Sequence, residues 1–152
     1  MTLLHPKTRS WRAVALAFAA SALIAIAWGS LVQTQFNLNA LVALGVEMPL
    51  RLRLLTSAQD LAGFGPVYAG ILLAGWIPAF LVAAWLAYKA PRLRVVLFAL
   101  AAGAALVLAV RVTDAVAPMP VLIDATRGLG GLLTMAAGSA LGGALFARWT
   151  RK

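Results

Sequence analysis

Residues 13–46 of this chain carry no charged side chain, and neither do residues 61–88, 95–110 and 128–147. A bilayer core of about 30 Å takes roughly 20 helical residues to cross. Lipid offers no partner for a free backbone N–H or C=O, so a spanning segment must be a helix or part of a closed barrel. A barrel needs short strands of alternating polarity, and these long unbroken runs do not alternate. The sequence therefore predicts an all-α integral membrane protein with four transmembrane helices, at about residues 11–32, 66–88, 95–113 and 126–147. Composition agrees: of 152 residues, 63% are hydrophobic and 11% charged, against about half and a quarter in soluble domains. A small soluble domain could not bury so much apolar surface.

The charges that remain are sorted along the chain. Lys7, Arg9 and Arg12 precede the first run, Lys89, Arg92 and Arg94 separate the second from the third, and Arg148, Arg151 and Lys152 follow the fourth. No acid interrupts these clusters. The other connections hold Arg51, Arg53, Arg111 and Arg127 together with Glu47, Asp60, Asp114 and Asp124, and sum to zero. The formal charge of +9 thus reports orientation. The positive-inside rule predicts cytoplasmic termini and a cytoplasmic 89–94 turn in a bacterial inner membrane. That face is expected to attract anionic headgroups, and nothing in the chain resembles a nucleic-acid module. The N-terminus also has the form of a signal peptide, with Ala25-Ile26-Ala27 as a cleavage-like site. Its apolar stretch is long for that role, so it is expected to persist as the first span.

Aromatic residues mark the expected borders. Trp11, Trp85, Tyr88 and Trp149 fall on the basic side, and Trp28, Phe64 and Tyr68 on the other, as headgroup-level rings do. Trp76 lies mid-helix, where packing against lipid or a neighbouring helix is expected. Pro78 is expected to kink the second span. Small residues recur at spacing four, which keeps them on one helix face. They are Ala13, Ala17, Ser21, Ala25 and Gly29 in the first span, and Gly75, Ala79, Ala83 and Ala87 in the second. The third has Ala101, Ala105 and Ala109. The fourth has Gly130, Thr134, Gly138 and Gly142. Such stripes let membrane helices approach closely. The fourth is expected to be a seam within one bundle rather than the face of a homo-oligomer.

Two outer connections carry the remaining polar chemistry. Residues 33–65 are expected to form a semi-buried cap with short interfacial helices. Pro49 would break it, Ser57 and Asp60 would act as a capping box, and Gly63, Gly65 and Pro66 would turn the chain into the second span. In the second connection, Arg111 with Asp114 and Asp124 with Arg127 are spaced i, i+3. A crossed network, Arg111 to Asp124 and Asp114 to Arg127, is expected there, as a structural clasp or as a polar site joined by Arg51, Arg53 and Asp60.

Catalytic material is scarce. The chain has no cysteine and one histidine, His5 in the tail, and it lacks the spacing of a phosphate loop or a zinc protease. No catalytic residue, cofactor or metal site is assigned. The expected function is a non-enzymatic subunit, scaffold or lipid-contacting accessory protein, with a protein partner or homo-oligomer allowed. The alternative is a small transporter or channel with its polar site at the outer face. An enzyme acting on lipid through Asp60, Asp114 or Asp124 ranks third.

Overall fold

The computed structural model describes residues 10–117 and 123–151. Among them are helices α1 (Trp11–Ala43), α2 (Leu50–Lys89), α3 (Arg94–Val116) and α4 (Leu129–Trp149). Short 3-10 turns at Pro91–Leu93 and Asp124–Arg127 precede α3 and α4. All four helices are long and apolar enough to cross a membrane. Each packs against its chain neighbours, and α4 returns to α1, so the four close a ring around a shared core. Lys7, Arg9, His5, Pro118, Pro120 and Lys152 lie outside the described residues.

The largest departure from expectation is the cap. Residues 33–43 continue α1, and residues 50–65 are the first part of α2. Only residues 44–49 connect them. The two helices, 33 and 40 residues long, span about 50 and 60 Å at 1.5 Å per residue. The 23 and 21 residues of α3 and α4 span about 35 and 32 Å. The α1–α2 hairpin therefore overhangs its neighbours. Ser57 and Asp60 stand inside α2, not at its start, and Gly63, Gly65 and Pro66 do not turn the chain. Those residues weaken a helix by a few kcal/mol together. Breaking it in an apolar setting would leave several backbone groups without partners, which costs more.

The hairpin's ends are set locally. Gly45 adopts φ +85°. Its N–H donates to the Val42 carbonyl at 3.0 Å, and the Val46 N–H to Leu41 at 3.1 Å. This pair of bonds closes a helix C-terminus with a left-handed residue, which glycine takes without penalty. Pro49 then starts α2, where its missing N–H is not needed. Pro78 is exposed in a helix that runs on through it.

Glycines permit the close approaches. A Cβ on Gly142 would lie 2.7 Å from the Trp76 ring and 3.0 Å from the Ser21 carbonyl oxygen, and one on Gly138 would strike Trp28. Gly143 faces the Phe98 carbonyl, and Gly131 that of Ala125. Gly138 and Gly142 thus serve as seams inside the bundle. Gly130 faces open space, and Thr134 contributes its carbonyl, which accepts from Trp28 Nε1 at 2.9 Å. In α1, Ala17, Ser21, Ala25 and Gly29 are buried as the stripe predicts. In α2 the core face is instead led by large residues: Tyr68, Leu72, Trp76 and Phe80.

Candidate functional site

Polar side chains meet at three levels between the overhanging hairpin and the middle of the bundle. At the top, Arg53 of α2 reaches across to α1. Its Nη1 donates to Gln35 Oε1 at 3.0 Å and its Nη2 to Asn39 Oδ1 at 3.1 Å. Gln35 Nε2 donates to Ser57 Oγ at 3.1 Å, and Ser57 donates to the Arg53 carbonyl at 2.8 Å. One turn further in, the Thr34 hydroxyl lies 2.9 Å from both Asp60 Oδ2 and the Ser30 carbonyl oxygen. These residues recur at helical spacing on facing sides of α1 and α2, so two regular helices align them as a ladder. Arg51 is exposed beside it.

On the other flank of α1, Gln33 is buried. Its Oε1 accepts the Ala125 backbone N–H at 2.8 Å, which anchors the turn ahead of α4. In that turn Arg127 Nε meets Asp124 Oδ1 at 2.8 Å. The i, i+3 pairing of Asp124 with Arg127 therefore forms, but the crossed pairing of Arg111 with Asp124 is not among the ion pairs between described residues. Arg127 stays 67% exposed. A side chain three residues away on the same turn reaches its partner at little cost in order. The seven charged residues expected to share one site are thus spread over three elements, with Arg111 and Asp114 on the last turns of α3. Arg53 and Asp60 belong to the hairpin ladder, while Asp124 and Arg127 belong to the turn.

Below the ladder, two hydroxyls are buried without hydrogen-bond partners: Ser30 Oγ and Tyr68 OH. Tyr68 was expected at the membrane border. It is fully buried instead, its ring lying over Gly29, because the missing Cβ there leaves room for it. Deeper still, Trp76 is fully buried. Its Nε1 donates to Ser139 Oγ at 2.9 Å, and Ser139 donates to the Ala102 carbonyl at 2.8 Å. This chain of bonds ties α2, α4 and α3 together at mid-height. The Trp76 ring stacks on Phe80 with centroids 4.7 Å apart. Phe80 in turn meets Phe98 and Phe146 at 5.1 and 5.2 Å. Aromatic pairs in such offset and edge geometries add about 0.5–1.5 kcal/mol each beyond burial.

The Trp76–Ser139 bond and the part of Gln33 escaped the sequence reading. Gln33 opens the stretch expected to form a cap, and no local pattern marks Ser139 as a partner of Trp76. The signal that would find Ser139 is a hydroxyl at small-residue spacing (139 to 143) in one helix and an indole mid-way along another. Trp11, Trp85 and Tyr88 are exposed at 82, 58 and 86%, as border rings would be. No group of acids and histidines that could hold a metal ion occurs among the described residues. Comparison with protein-family models, curated proteins and solved structures returns no match.

Proposed function

We propose that the protein is a non-enzymatic subunit, scaffold or lipid-contacting accessory component that crosses a bacterial inner membrane four times. Both termini and the 89–94 turn then face the cytoplasm. The observation that carries this reading is the filled axis of the bundle. Trp76, Phe80, Phe98 and Phe146 occupy its interior, and the inward polar groups Trp76 and Ser139 are bonded to each other and to the backbone. The outer polar groups likewise hold helix to helix. Arg53, Gln35, Thr34 and Asp60 join α1 to α2, and Gln33 joins α1 to the turn before α4. Polar groups spent on one another support architecture rather than turnover.

The overhanging hairpin supplies a contact surface. Leu44 is 81% exposed and Leu50 71%, with Leu54 and Leu55 also exposed. Such a cluster belongs against a partner or in the headgroup region. Purification in mild detergent tests the proposal: a specific protein or lipid is expected to co-purify. Isolation of the chain as a bare monomer after repeated gentle extraction would overturn it.

One observation favours the small-transporter alternative. The buried hydroxyls of Ser30 and Tyr68 continue inward from Thr34 and Asp60, a start toward a polar path from the outer face. Flux of ions or small solutes into liposomes above background, lost in Tyr68→Phe, would replace the accessory reading with that one.

A further inference from the structure

We propose that the apolar groove between α2 and α3 binds one anionic phospholipid, its acyl chain along the groove and its headgroup on Lys89 and Arg92. The proposal deepens the accessory reading and rests on it in one respect, that these helices lie in lipid.

The groove encloses about 780 Å³, within the roughly 300–1,000 Å³ of clefts that take ligands. Its floor forms where α2 packs tightly on α3: a Cβ on Gly75 would lie 2.9 Å from the Ala105 carbonyl oxygen. Pro78 and Ala104 form part of its walls. It runs along α2 from Ile71 to Leu86, about 22 Å at the helical rise, longer than the roughly 15 Å depth of one leaflet. A single acyl chain entering at the Leu86 end can therefore lie in it for its whole length.

The Leu86 end is also the basic end. Val82 and Leu86 line the groove, and Lys89, three residues beyond Leu86, shares their face of α2. Lys89 Nζ sits 4.1 Å over the Trp85 ring, and Arg92 is exposed in the adjoining turn. Arg94 is engaged elsewhere: its Nη2 donates to Thr150 at 2.8 Å, and its guanidinium covers Phe98. Two cations at the headgroup end of an apolar slot match a phospholipid with a net negative head. A second copy of the chain does not match. Packed in parallel, it would bring its own Lys89 and Arg92 to the same border, while all four acids lie at the opposite end.

The test reconstitutes the full chain in bilayers of equal parts phosphatidylglycerol and phosphatidylcholine. Lipids retained after mild detergent extraction are then counted by native mass spectrometry. One phosphatidylglycerol per chain is expected. The double substitution Lys89→Gln with Arg92→Gln should lower its retention about thirtyfold relative to phosphatidylcholine. Ala104→Phe, which fills the groove from its exposed wall, should abolish retention of either lipid. Ala137→Phe, at an exposed site on α4, should leave retention intact. Cooperative melting confirms folding, and the two surface substitutions carry the test if Ala104→Phe does not fold. Equal retention of both lipids by the unsubstituted chain would overturn the proposal. So would undiminished retention in Ala104→Phe, or a dimer that this substitution splits. Alkaline carbonate separates the two levels: a chain washed off membranes refutes membrane embedding itself, while a chain that stays without phosphatidylglycerol refutes only the lipid site.

Discussion

Adding one carbon to Gly143 would drive it into the Phe98 carbonyl of α3, while the same carbon on Gly130 would meet nothing. Alanine is the better helix former by about 1 kcal/mol. Intrinsic propensity and packing therefore act in opposite directions at Gly143 and not at Gly130. Gly143→Ala is expected to destabilise the protein by about 1–3 kcal/mol through overpacking. Gly130→Ala should be neutral or stabilising by up to about 1 kcal/mol. Thermal unfolding of both variants in the same detergent checks the opposite signs. Ser139→Ala leaves the Trp76 indole N–H buried and unpaired. A loss of about 1–2 kcal/mol is expected, visible as a lowered Tm. A Tm equal to that of the parent would show that Ser139 does not hold Trp76.

At the scale of elements, the hairpin of α1 and α2 departs furthest from its local sequence signals. Pro49 and Gly45 punctuate the chain as their chemistry requires. Gly63, Gly65 and Pro66 carry the same local signal and yet lie inside α2. Local sequence does not show that α1 runs alongside with Thr34, Gln35 and Asn39 facing Asp60, Ser57 and Arg53. Those cross-helix bonds, with the cost of opening the backbone, outweigh weak propensity. Arg53→Ala should therefore loosen the tip and spare the core. Amide exchange is expected to rise in residues 37–57, with protection of α4 unchanged. Exchange rising equally in α4 would mean that the hairpin is no separate unit. Gly45→Ala forces a left-handed alanine and should cost about 1 kcal/mol, again read by melting.

For the whole molecule, a basic end and a charge-balanced end separate along the bundle axis. Arg12, Lys89, Arg92 and Arg148 stand at one end, and Glu47, Asp60 and Asp124 toward the other. The proposed orientation can be measured directly, because the chain has no cysteine of its own. A cysteine placed by Glu47→Cys should react with a membrane-impermeant thiol reagent added to intact bacterial cells. One placed by Arg92→Cys should react only after the membrane is permeabilised. Labelling with the opposite pattern would invert the topology.

The charge-free runs are a property of the sequence alone. They determined that the chain forms long apolar helices, how many there are, and where α3 and α4 begin and end to within a few residues. All three follow from local solvation: a peptide group and its side chain meet lipid or water regardless of distant neighbours. Which polar groups pair was decided only in three dimensions. Arg53 could have joined Asp124 or Gln35, and Trp76 could have faced lipid or Ser139. The outcome depended on helix register and on glycines that bring two backbones together, and both are set by contacts between residues far apart in the chain. The four arginines and four acids that sum to zero were therefore not gathered into one site: Arg53 and Asp60 joined the α1–α2 ladder, and Asp124 and Arg127 paired in the turn before α4.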